Sequence, residues 1–176
     1  KGLVAEADDN LREAARCFEV ALQQDPTHGD ALRGSARMML AGEAYEAALD
    51  LFRRSLDAIR GKDAEASLLG QGRARLEMGD LSGARQVLEE AAKIRSSERL
   101  PPSPHVLTAL GEVSLKAGDF AEAVVALQDA AAHADAPDLA TTIDDLTQTA
   151  LRELTPQWDL PDEITGPMEL ERLLEA

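Results

Sequence analysis

A recurring triplet of small and large residues sets the architecture of this chain. A small residue, a large one four positions on and a small one three further occur four times. The sets are Ala14, Phe18 and Ala21; Ala48, Phe52 and Ser55; Ala84, Leu88 and Ala91; and Ala123, Leu127 and Ala130. Their first members are 34, 36 and 39 residues apart. Two other position classes keep the same steps: Gly2, Ala36, Gly72 and Gly111, and Leu11, Tyr45, Leu81 and Phe120. A turn signal precedes the second class each time: Asp9-Asn10, Gly42-Glu43-Ala44, Gly79-Asp80 and Gly118-Asp119. Three classes in one register mark a structural repeat.

Each unit reads as two amphipathic helices of about 13–15 residues joined by a short turn. A Gly or Ala on the first helix faces an Ala on the second, so the two approach closely. The large residue then fills the gap against the next unit. The turn glycine supplies positive φ at the end of one helix, and the following Asp caps the next. Strand formers are scarce. Aromatics are confined to Phe18, Phe52, Phe120, Tyr45 and Trp158, so Ala and Leu must do the packing. The fold class is therefore all-α, an α-α superhelical solenoid of helix-turn-helix repeats.

This pattern resembles the tetratricopeptide repeat family, with its 34-residue period and W-x2-L-G-x2-Y…A-x3-F…P signature. The fourth unit matches best, through Leu107, Leu110-Gly111, Gly118-Asp119-Phe120, Ala123, Leu127 and Ala130. Only the first unit keeps the closing Pro, at Pro26. Leu32, Leu68 and Leu107 replace the Trp, and Met39, Arg75 and Ser114 replace the Tyr. The resemblance covers roughly residues 1–137. It implies a protein–protein interaction module whose first helices line a concave groove. Members that clamp a C-terminal carboxylate use a groove Asn. Here those positions are Gly34, Gly70 and Ala109, so that clamp is missing and the small residues would let a bulkier partner approach.

The units divide the chain into a partial unit over 1–28, then 29–62, 63–98 and 104–137. Only the tail of the first unit's first helix is expected, near residues 1–8, so the chain is expected to be a fragment of a longer protein or to lack its N-terminal part here. Gly61-Lys62-Asp63 and the stretch from Ser96 to Ser103, with Pro101 and Pro102, account for the growing spacing. The latter is expected as a stiff surface loop. Residues 138–154 read as a capping helix with Leu139, Ile143, Leu146, Ala150 and Leu154 on one stripe. Residues 155–176 are read as an acidic C-terminal tail with Pro156, Pro161 and Pro167, Trp158 and a short helix expected from Met168 to Glu175. The tail is expected either to pack back onto the capping helix or to insert as a linear segment into a groove of its own or of a neighbouring chain.

The formal net charge is -15, which repels nucleic acid and anionic membranes. No apolar run is long enough to span a bilayer. Cys17 is the sole cysteine and suits a reducing compartment, so the expected location is cytoplasmic. Arg outnumbers Lys 14 to 4 and Ala is abundant, which points to a GC-rich bacterial genome. His28, His105 and His133 share no metal-ligand spacing. Gly70-Gln71-Gly72 lies in a helical pattern and lacks the strand a phosphate loop needs. No catalytic set, metal site or cofactor is expected, and the chain is read as a non-enzyme.

The groove stripe is Asp30, Arg33, Gly34, Arg37, Leu40 and Ala41 in the second unit. It is Ala66, Leu69, Gly70, Arg73, Leu76 and Glu77 in the third, and His105, Thr108, Ala109, Glu112, Leu115 and Lys116 in the fourth. The candidate partner-binding residues are Arg33, Arg37, Leu40, Leu69, Arg73, Leu76, Thr108, Glu112, Leu115 and Lys116. An apolar row with Arg at intervals suits a peptide or helix that is acidic and amphipathic. The expected role is an interaction scaffold or adaptor. The alternatives are self-assembly as a homo-oligomer and a regulatory or docking domain of a larger enzyme.

Overall fold

The computed structural model describes residues 11–59, 62–134 and 136–154. The half-helix expected near residues 1–8 and the tail over 155–176 lie outside the described residues. Eight helices occupy the described ones: α1 Leu11–Gln24, α2 Gly29–Ala41, α3 Tyr45–Ala58, α4 Lys62–Glu77, α5 Leu81–Ser97, α6 Pro104–Ala117, α7 Phe120–His133 and α8 Pro137–Leu154. There is no strand among these residues. The fold is an all-α superhelical solenoid.

Leu11, Tyr45, Leu81 and Phe120 each open a helix. The helices pair as α2–α3, α4–α5 and α6–α7, with α1 on α2 and α8 on α7. Across units, α2 touches α4, α4 touches α6, and α6 touches α8. First helices therefore share the inner face of the stack, and α8 takes the place of a further first helix.

Close approach explains the small residues. A Cβ on Gly72 would collide with Leu88, and one on Gly111 with Leu127, the large residue of the same unit in each case. Gly34 and Gly70 do a different job. A Cβ there would enter the rings of Phe18 and Phe52, which belong to the preceding unit. Ala109, at the equivalent place in the fourth unit, is 1% exposed and shares a buried cluster with Leu88. These three positions hold the neighbouring unit, so the expectation that they admit a bulky partner is corrected.

The turns also differ from expectation. After α2, the amide of Glu43 donates to Leu40 and that of Ala44 to Met39. Gly79 and Asp80 repeat this pattern after α4, as do Gly118 and Asp119 after α6. The left-handed residue is thus Glu43 (φ 59°), Gly79 (φ 79°) or Gly118 (φ 84°). Gly42 sits one residue early, at φ -91°. Carboxylate capping is made once among these turns: Asp80 Oδ1 accepts from the Gly83 amide at 2.9 Å. Asp119 makes no such bond, and its carboxylate lies 3.5 Å from Arg85 instead.

The proline loop is shorter than expected, because α5 continues to Ser97. It is tied down by Arg95, which donates from Nε to the Pro101 carbonyl at 2.5 Å and pairs with Glu65 of α4 at 3.0 Å. In α8, Ile143, Ala150 and Leu151 are buried, while Asp138, Asp144, Asp145 and Glu153 face outward.

Candidate functional site

The inner face is built from α2, α4 and α6. On α2, Arg33 is half-buried. Its Nη2 lies 2.7 Å from Asp30 Oδ1 and its Nη1 donates to the Asp63 carbonyl at 3.1 Å. It thereby links the second unit to the third. One turn on, Arg37 is exposed. Leu40 is half-buried against Ala36, Ala48 and Phe52.

On α4, Leu69 is half-buried and Arg73 exposed. Leu76 is 2% exposed, within the cluster of Leu68, Leu88, Val106 and Val113 that joins α4, α5 and α6. On α6, Thr108 is also 2% exposed, and its hydroxyl donates to the Pro104 carbonyl at 2.7 Å. Leu76 and Thr108 therefore offer no surface to a partner, against expectation. Packing between two complete units takes Leu76, and a backbone acceptor one turn back takes the Thr108 hydroxyl.

Glu112 is half-buried. Burial pushes its carboxyl above the usual glutamate range and the Glu77 charge adds to this, while Arg73 and Lys116 pull it back. Lys116 is exposed, with Nζ 3.9 Å from Glu77 of α4. Leu115 is half-buried between two clusters at the α6–α8 junction. The fold thus brings Arg73, Glu77, Glu112 and Lys116 together across α4 and α6. Glu77 is the member absent from the candidate set. Its place on the stripe was visible, but its partner on another helix was not.

The surface so formed carries four cations, Arg33, Arg37, Arg73 and Lys116, against Asp30, Glu77 and Glu112. Half-buried Leu40, Leu69 and Leu115 lie among them. With four cations against three carboxylates, this face is close to charge balance on a chain of net charge -15. The other side of the stack carries a cleft of about 470 Å³ lined by Leu81, Arg85, Glu89, Val113 and Glu122. There Arg85 lies 2.5 Å from Glu122 and donates to the Ser114 hydroxyl at 3.2 Å. That set clasps α5 to α6 and α7.

Among the described residues, no group of three His, Cys, Asp or Glu side chains could hold a metal. No described helix is long and apolar enough to cross a membrane.

The family model for the tetratricopeptide repeat matches residues 1–64 and 69–138. The fold is similar to that of TTC0263, a thermophilic TPR protein of Thermus thermophilus. The TM-score is 0.71 at 19% identity, over 99% of this chain and 94% of that one. It is also similar to YrrB, described as a TPR protein with an unusual peptide-binding site. There the TM-score is 0.58 at 19% identity, over 87% of this chain and 79% of that one. Among curated proteins, the CTR9 homolog of Arabidopsis thaliana is 29% identical over 119 residues. That match spans 68% of this chain and 10% of the plant protein's length.

Proposed function

The chain belongs to the tetratricopeptide repeat family, a family of protein–protein interaction scaffolds, and from that premise we propose that its inner face takes an acidic, amphipathic peptide or helix of a partner. The observation that carries the reading is a pair of exposed arginines at equivalent places beside half-buried leucines. Exposed Arg37 and Arg73 stand on adjacent first helices beside Leu40, Leu69 and Leu115, in a chain that is otherwise strongly acidic. Arginine forks bind carboxylates in two-point fashion, and the leucines offer a strip for the apolar side of the same segment. The peptide-binding site named for YrrB adds support at the level of fold. No catalysis is assigned to the chain, and a cytoplasmic location is part of the proposal.

The test is affinity capture with the 176-residue chain beside its Arg37→Glu/Arg73→Glu variant, after matching helicity by circular dichroism. Both arginines are exposed, so the variant is expected to fold. A protein bound by the parent and lost from the variant supports the inner face. Equal capture by both moves recognition to another surface and overturns the reading.

A further inference from the structure

We propose that residues 155–176 of the same chain occupy the inner face and so compete with an external partner. This rests on the reading of that face as a binding surface. Three observations carry it.

The first is where the described chain stops. Leu154, the last residue of α8, packs in one cluster with Ala150, Leu151 and Leu115. The chain therefore leaves α8 beside Leu115, next to Lys116, at the edge of the inner face. Residues 155–176 reach on the order of 70 Å when extended. Crossing from α6 to α2, helices packed at roughly 10 Å spacing, needs far less.

The second is complementarity. The segment carries Asp159, Asp162, Glu163, Glu169, Glu171 and Glu175 against the single Arg172. Trp158, Leu160 and Ile164 are interleaved with the first three acids. This is the acidic, amphipathic chemistry that Arg37, Arg73 and Leu69 suit, and it starts within a few residues of Leu154, the neighbour of Leu115.

The third is what the other nearby face offers. The apolar side chains of α8 are already packed on α6 and α7. Its exposed charges, Asp138, Asp144, Asp145 and Glu153 against the single Arg152, are net negative and disfavour an acidic segment.

Trp158 is the only Trp in the chain, so its fluorescence reports this contact directly. In the 176-residue protein at low salt, its emission should lie to the blue of the urea-unfolded chain and not change with protein concentration. Added salt and Arg37→Glu/Arg73→Glu should both move it to the red. Asp159→Lys/Asp162→Lys/Glu163→Lys should give the same red shift, and it leaves every described helix untouched. Emission already at the unfolded position overturns the proposal. So does a blue shift indifferent to both variants, which places the segment elsewhere, or one that grows with concentration, which assigns it to a second copy. Partner capture lost with the Arg pair while Trp158 emits as in the unfolded chain would sink this inference alone and leave the partner reading standing.

Discussion

Glu43 is held at φ 59°, in the left-handed region where the next two units place Gly79 and Gly118. A side chain with a Cβ is strained in that conformation, whereas glycine is not. Glu43→Gly should therefore raise stability by about 1 kcal/mol, read from urea unfolding. Gly42 makes the opposite case. It is at φ -91°, and an added Cβ would sit 3.4 Å from the Met38 carbonyl oxygen. Gly42→Ala should be neutral or mildly stabilising, and a large loss there would contradict the turn register. Glu112 supplies a pH test at the same scale. Its folded carboxyl is raised chiefly by burial, so the folded state favours the protonated form. Its favourable contribution is full below the ordinary glutamate value and lost as pH rises through the folded one. Glu112→Gln should accordingly increase melting temperature at neutral pH and lose that advantage as pH falls to about 4. A gain that is flat with pH would mean that Arg73 and Lys116 outweigh burial.

Between elements, the contacts that matter are graded in size. Phe52 lies between Ala36 of its own unit and Gly70 of the next. Leu88 lies against Gly72 of its own unit and clusters with Ala109 of the next. A larger wedge is thus matched by a smaller seat across the unit boundary. Gly70→Ala should overpack this seat at a cost of about 1–3 kcal/mol. Phe52→Leu should recover part of that loss, so a double-mutant cycle is expected to give a favourable coupling of about 1 kcal/mol. Additive costs would show that the seat and the wedge are independent. This grading also marks the limit of what could be read from sequence. Helix starts at Leu11, Tyr45, Leu81 and Phe120 were legible because one large residue recurs at one offset from each turn. The inner stripe was legible by the same register. Its accessibility was not. Leu40, Leu76 and Leu115 are equivalent by sequence, yet only Leu76 is fully buried, within the cluster that joins α4, α5 and α6. Gly34 and Gly70 look like open groove positions until Phe18 and Phe52 of the preceding units are placed on them.

At the scale of the whole molecule, the described helices share no single core. Their buried residues fall into clusters, each confined to neighbouring helices. The largest joins α4, α5 and α6 through Leu68, Leu76, Leu88, Val106 and Val113, whereas the one around Ala14, Phe18 and Ala31 joins only α1 and α2. In such an array each unit is stabilised by its own packing and by the interface to the next, so local openings need not cross the stack. Two truncations of buried residues separate this from a globally cooperative fold. Phe18→Ala and Leu88→Ala each remove a large side chain at the expected cost of about 2–5 kcal/mol. Native-state hydrogen exchange should respond differently to them. Phe18→Ala should speed exchange in α1 and the start of α2 while leaving α4–α6 protected as before. Leu88→Ala strikes the cluster that ties the two halves together, so it should lower protection in α4, α5 and α6 at once. That loss should pass into α3 and α7, since α3 packs on α4 and α7 on α6. Equal loss of protection throughout the chain from Phe18→Ala would mean that the helices unfold as one unit. The inner face would then be only as durable as its weakest end. If protection instead remains local, α4 and α6, which carry Arg73, Glu77, Glu112 and Lys116, keep their geometry while the first helix opens.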